Sequence, residues 1–231
     1  MINWNDLNKS KKCLESEVEN IFKVYGYEIE IKAEDLNLLK SENSCIRSST
    51  AIGYIIEEFV YQKLKNIIKF DISKSIHRSG VSTQNSSFDF IYSTKTYDVL
   101  VNIKTEINGS HNNAVSAIKK LYSDYNNYYN KGRDFYFIVL KIRYEIDDKD
   151  KKNNIEKFYD KIHITSISSY ALEEIDFSSG HMQDYRNWSR EFKNESGRLI
   201  VTNKFYEQHK LNDNDELSSL KTLISIEKMF N

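Results

Sequence analysis

Apolar residues recur along this chain at two spacings, and the change from one to the other marks out its elements. From Thr50 to Leu64, Ile52, Ile55, Ile56, Phe59, Val60 and Leu64 fall three and four residues apart, which predicts a helix over 50–64. Two runs rich in aromatic and β-branched residues follow, Ser86–Tyr92 and Tyr97–Lys104. The polar break Ser93-Thr94-Lys95-Thr96 separates them, so they read as a β-hairpin. Helical spacing returns at Ala114, Ala117, Ile118, Leu121, Tyr122 and Tyr125, predicting a helix over 111–130 that Lys131-Gly132-Arg133 would end. Phe135–Ile142 is a nearly continuous apolar run, as in a buried central strand, and Lys161–Ile167 is a further strand. The order helix, strands, helix, strand, strand predicts a mixed α/β (α+β) fold: a central mixed β-sheet of about five strands flanked by helices.

The outer regions follow the same patterning. Leu14, Val18, Ile21, Phe22 and Tyr25 predict a helix within an N-terminal helical region, 1–45. Leu217, Leu220, Leu223, Ile224 and Met229 do the same in a C-terminal helical region, 181–231. We expect one domain over 1–231 with its core at about 46–170, the two flanks serving dimerisation or recognition of a partner.

Side-chain alternation gives the hairpin its chemical interest. If Tyr92 pairs with Tyr97, Asp89 lies opposite Leu100. Leu100, Asn102, Lys104 and Glu106 then share one face, which Asp89 joins from the partner strand, while Val99, Val101 and Ile103 fill the other as core. Asp89 and Asn102 become diagonal neighbours, roughly 7–8 Å apart between α-carbons. That span suits two oxygen ligands sharing one Mg²⁺ at about 2.1 Å each. On the preceding helix, Glu57 falls about 100° from the centre of the apolar stripe and Glu58 nearly opposite it. Glu57 therefore stands at the border of the buried face, and Glu58 in solvent.

Composition narrows the setting. Lys and Arg total 33 against 34 acids, a net charge of -1, so any phosphate contact needs a local basic cleft rather than a basic protein. Cys13 and Cys45 form no CxxC pair, which argues against zinc and for a reducing, cytoplasmic setting. No apolar run approaches the roughly 18 residues that a spanning helix needs. The five histidines form neither HNH nor HExxH.

With these residues in place, the chain resembles the PD-(D/E)xK nuclease superfamily, and within it the type II restriction endonucleases. In that family an acid on one strand precedes an acid-x-Lys element on the next, and a helix before them often adds a glutamate. Asp89 matches the first acid, Asn102 the second, Lys104 the lysine, and Glu57, four residues after Gly53, the helix glutamate. The resemblance covers about 46–170. It departs from the pattern in two places. Ser87-Phe88 stands where the family name has proline, and Asn102 replaces an acid. An asparagine still offers a neutral carbonyl oxygen to a hard cation but brings no charge, which Asp98 or Glu106 has the parity to supply.

What the resemblance implies is a Mg²⁺-dependent endonuclease cutting both strands of double-stranded DNA at a short site. Asp89, Asn102 and Glu57 would be the metal ligands and Lys104 the group stabilising charge at the scissile phosphate. It also implies a homodimer matched to a palindromic site and a companion DNA methyltransferase. Arg186 and Arg190, in the aromatic- and amide-rich stretch His181–Arg190, with His111 and Lys119, are the candidate DNA contacts. Two other readings use the same core: a nonspecific or structure-specific nuclease, and a catalytically inactive nucleic-acid-binding relative.

Overall fold

The computed structural model describes residues 3–32, 48–67, 71–74, 86–109, 114–147, 159–174 and 198–200. Helix α1 (Trp4–Tyr25) starts where the Asn3 side chain accepts the N–H groups of Asn5 and Asp6. It stops at Gly26, whose N–H donates to Phe22 O and whose φ of +94° glycine adopts without strain. Leu7, Leu14, Val18, Ile21 and Phe22 form its buried stripe. Tyr25, expected among them, is 52% exposed instead. It sits where the helix ends, its ring edge-on to Phe59 and 3.9 Å from the Lys63 ammonium. Helix α2 (Ser48–Ile67) extends the predicted 50–64 at both ends and buries Ile52, Ile56, Val60 and Leu64 at four-residue intervals.

The main sheet has six strands, one more than the pattern suggested: β1 (Glu28–Lys32), β2 (Asp71–Lys74), β3 (Phe90–Ser93), β4 (Tyr97–Ile107), β6 (Asp134–Asp147) and β7 (Tyr159–Ala171), in the order β1-β7-β6-β4-β3-β2. A separate pair joins β5 (Ala114–Ala117) to β8 (Arg198–Ile200). The central strands β4 and β6 run parallel, because helix α3 (Ile118–Tyr129) returns the chain between them. All other pairs of the main sheet are antiparallel. The helix predicted over 111–130 thus begins only at Ile118. Ala114-Val115-Ser116-Ala117 pairs as a strand with Val115 buried, and a three-residue alanine spacing does not distinguish the two states.

Apolar side chains cover both faces of the sheet. On one, α1 and α2 pack Leu14, Val18, Ile56 and Val60 against Val99, Val101, Ile103, Ile138 and Leu140. On the other, Leu121 and Tyr125 of α3 pack against Leu100, Phe137 and Val139. The structure is a mixed α/β fold of sheet and flanking helices. No helix among the described residues is long and apolar enough to cross a membrane.

Candidate active site

Strands β3 and β4 pair as Ser93↔Asp98, Tyr92↔Val99, Ile91↔Leu100 and Phe90↔Val101. Tyr92 therefore does not face Tyr97 as expected. Thr94 closes the turn: its N–H and hydroxyl donate to Tyr97 O at 2.9 and 2.8 Å, leaving Lys95 and Thr96 at the tip. The slip is two residues. An even slip keeps every side chain on its expected face, whereas a slip of one would have inverted them.

The slip brings Asp89 level with Asn102 rather than Leu100. The Asp89 N–H donates to Val101 O at 2.8 Å, and its Oδ2 accepts the Ile103 N–H at 2.6 Å. The carboxylate is therefore fastened to β4 one peptide unit from Asn102. Val99, Val101 and Ile103 belong to the α1–α2 core and Leu100 to the α3 core, so Asn102 and Lys104 lie on the face of Leu100.

Asn102 is 5% exposed, and its Nδ2 donates to Ser87 O at 2.8 Å. A backbone carbonyl only accepts, so this bond dictates which end of the amide is nitrogen. The other end, Oδ1, is buried and has no hydrogen-bond partner among the described residues. Leaving a buried acceptor empty costs about 1–3 kcal/mol, and such an atom calls for an explanation.

Glu57 arrives from α2. At Gly53 an added Cβ would come within 2.8 Å of Thr105 Oγ1, so glycine lets the helix lie close on β4. One turn further on, Glu57 is half-buried beside the hairpin. Burial first, and then the negative charge of Asp89, push its carboxyl up to about 7, while Lys104 pulls the other way. Burial likewise raises Asp89, opposed by the Ile103 N–H and by Lys104. Asp89, Glu57 and Lys104 thus feel one another's charge, and two of the three are acids.

Asp98 and Glu106, the other acids of suitable parity, are committed elsewhere. Asp98 lies 3.0 Å from the Arg133 guanidinium, and Glu106 lies 2.8 Å from Lys141 and 2.5 Å from Arg143. Glu58, expected in solvent, is half-buried and pairs with Lys74. Lys141 stands opposite Lys104 in the β4–β6 register and is 2% exposed. Its signal in the sequence was a lone charge inside the apolar run Phe135–Ile142, which the reading of that run as core passed over. Ser87 left no signal, because it acts through a backbone carbonyl that any residue has. Asp124 is a third residue passed over. It accepts both the N–H and the hydroxyl of Ser87 at 2.7 Å, and its place three residues after Leu121 on α3 was legible.

Of the candidate DNA contacts, His111, Arg186 and Arg190 lie outside the described residues, as does the side chain of Lys119 on α3. Among the basic residues near the N-terminus, Lys11 is bonded to Glu174.

The donors fit a hard divalent cation. They are two carboxylates, Asp89 and Glu57, and the empty carbonyl oxygen of Asn102; oxygen-only sets of this kind suit Mg²⁺ or Mn²⁺ rather than zinc. No group of three His, Cys, Asp or Glu able to hold a metal gathers among the described residues, so the amide would have to complete the set.

No protein-family model and no curated protein matches the chain. Among solved structures, the NlaIV restriction endonuclease is similar in fold, with a TM-score of 0.48 and 13% identity over 83% of this chain and 68% of that one. A likeness that distant carries no argument about this chain.

Proposed function

We propose that the chain is a Mg²⁺-dependent endonuclease of the type II restriction kind, hydrolysing phosphodiester bonds in double-stranded DNA at a specific site. One observation carries the reading. The buried Oδ1 of Asn102 is left empty on the strand to which Asp89 is fastened, and burial raises the carboxyls of Asp89 and of Glu57, the latter further through the charge of Asp89. Without a ligand that arrangement is unfavourable, and a divalent cation offsets all three terms at once.

Asp89, Asn102 and Glu57 would hold the cation through oxygen. Bound there, it supplies Lewis-acid polarisation of the scissile phosphate and acidifies water beside it. Asp89, fixed by the Ile103 N–H, gives the ion a ligand that needs no rearrangement. The Lys104 ammonium stabilises the charge that builds on the phosphate oxygens, or orients the attacking water. Water adds to phosphorus, the sugar oxygen leaves with a proton, and no covalent enzyme intermediate is required. Arg186, Arg190, His111 and Lys119 are proposed to hold the DNA. A homodimer cutting one strand per subunit, with a methyltransferase protecting the host site, completes the proposal.

Incubating the full chain with plasmid DNA, with and without Mg²⁺, tests this. Discrete fragments that require Mg²⁺ are the expected result. A smear would replace site-specific cutting by a nonspecific nuclease. Binding without cleavage would leave an inactive nucleic-acid-binding relative.

A further inference from the structure

We propose that Asp124, acting through Ser87, is the positioning residue that sets the orientation of the Asn102 amide and so keeps Oδ1 available to a cation. The inference rests on the metal-site reading above and adds to it how the neutral ligand is held.

The relay runs through three elements. On α3, one oxygen of Asp124 accepts the Ser87 N–H and hydroxyl, each at 2.7 Å, and the Ser86 hydroxyl at 3.3 Å. Both groups of Ser87 are thereby fastened to a helix, and Ser87 itself is 1% exposed. Its carbonyl is left to accept the Asn102 Nδ2 at 2.8 Å. An amide turned over about its last bond fills nearly the same volume, so shape alone does not choose between its two ends. The fixed carbonyl does. A flipped amide would set two carbonyl oxygens against each other and leave the NH₂ group where Oδ1 now lies.

The relay also accounts for an amide where the family pattern has an acid. Asparagine, unlike an ionised aspartate, both donates to Ser87 O and offers an acceptor at its other end. An aspartate would present a second oxygen to that carbonyl, losing the bond and adding repulsion. The negative charge of the family's usual acid is absent because the position is built around a donor.

Mn²⁺ binding to the full-length protein, followed by electron paramagnetic resonance of the free ion, tests the relay without reference to catalysis. Four variants are compared with the parent: Asn102→Ala, Asp124→Ala, Asp124→Asn and the double variant Asn102→Ala/Asp124→Ala. Thermal denaturation confirms that each is folded, and Ser87→Ala, which leaves the backbone groups in place, substitutes for Asp124→Ala if that variant fails to fold. Asn102→Ala and Asp124→Ala should each weaken Mn²⁺ affinity about tenfold or more, in the range that residues supporting metal ligands command. The double variant should lose no more than Asn102→Ala alone, since Asp124 acts only through that amide. Asp124→Asn keeps an oxygen for the Ser87 N–H and should recover most of the affinity; a purely electrostatic role would not be rescued by a neutral side chain. Additive losses, an unrescued Asp124→Asn, or a silent Asp124→Ala beside a weakened Asn102→Ala would overturn the relay and leave the metal site standing. An Asn102→Ala that binds Mn²⁺ as the parent does would overturn the metal site, and the relay with it.

Discussion

Two sets of acids surround β4, and they are treated in opposite ways. Asp98 near its start and Glu106 near its end are buried, and each meets a cation within 3.0 Å: Arg133 for the first, Lys141 and Arg143 for the second. Asp89 and Glu57, beside the middle of the strand, form no ion pair among the described residues. Burial raises both carboxyls, and the charge of Asp89 adds to the rise of Glu57, which reaches about 7. Satisfied acids hold the sheet together. Acids that Lys104 only partly offsets, and whose carboxyls burial still raises, leave a demand for positive charge, which is what a cation-binding site requires.

The sharpest way to break the contrast is at its centre. Lys104→Ala should reduce DNA cleavage by about 100- to 1000-fold or more, the scale of losing one group aimed at transition-state charge. DNA binding in a gel-shift assay should remain, and retained cutting would remove Lys104 from the site.

Next in size is the comparison of the two sets themselves. Glu106→Gln strips the counter-charge from the buried Lys141 and should destabilise the fold by about 3–5 kcal/mol in urea denaturation. Glu57→Gln removes an acid that the fold keeps at a cost, so without divalent ions the urea midpoint should hold or rise. Equal losses from both would erase the distinction drawn between structural and functional acids.

A third setting sharpens it further. Glu173 is buried and, among the described residues, is held by neutral groups, accepting the Phe137 N–H and the Tyr125 hydroxyl, both at 3.1 Å. Burial pushes its carboxyl up from 4.5 to about 7. The folded state therefore holds this proton at higher pH than the unfolded chain does. The stability it contributes is complete below pH 4.5 and is lost as pH rises through 7. Glu173→Gln keeps the shape without the charge. Melting temperatures of variant and parent should coincide in acid and separate toward pH 8, the variant standing a few degrees higher; parallel curves would contradict the buried-acid account.

Much of this was legible in the chain. Val99, Val101 and Ile103 on one face and Leu100, Asn102 and Lys104 on the other follow from strand alternation, and the two-residue slip of the hairpin left that division intact. The Ile52–Leu64 stripe likewise placed Glu57 at the border of the buried face. Less legible was Ala114–Ala117, where a partner strand more than 80 residues further along decides between strand and helix. Also hidden were the fates of Asp98 and Glu106. Their parity suited the site, but Arg133, Lys141 and Arg143, brought alongside by the parallel β4–β6 pairing, take them out of it.

By itself, then, the sequence determined which residues share a face, since periodicity is a property of backbone geometry within one element. Only the tertiary structure decided which acids are neutralised, how closely α2 approaches through Gly53, and which end of the Asn102 amide stays empty. Those outcomes depend on burial and on hydrogen-bond partners from other elements, and no local pattern along the chain encodes the distance to a partner.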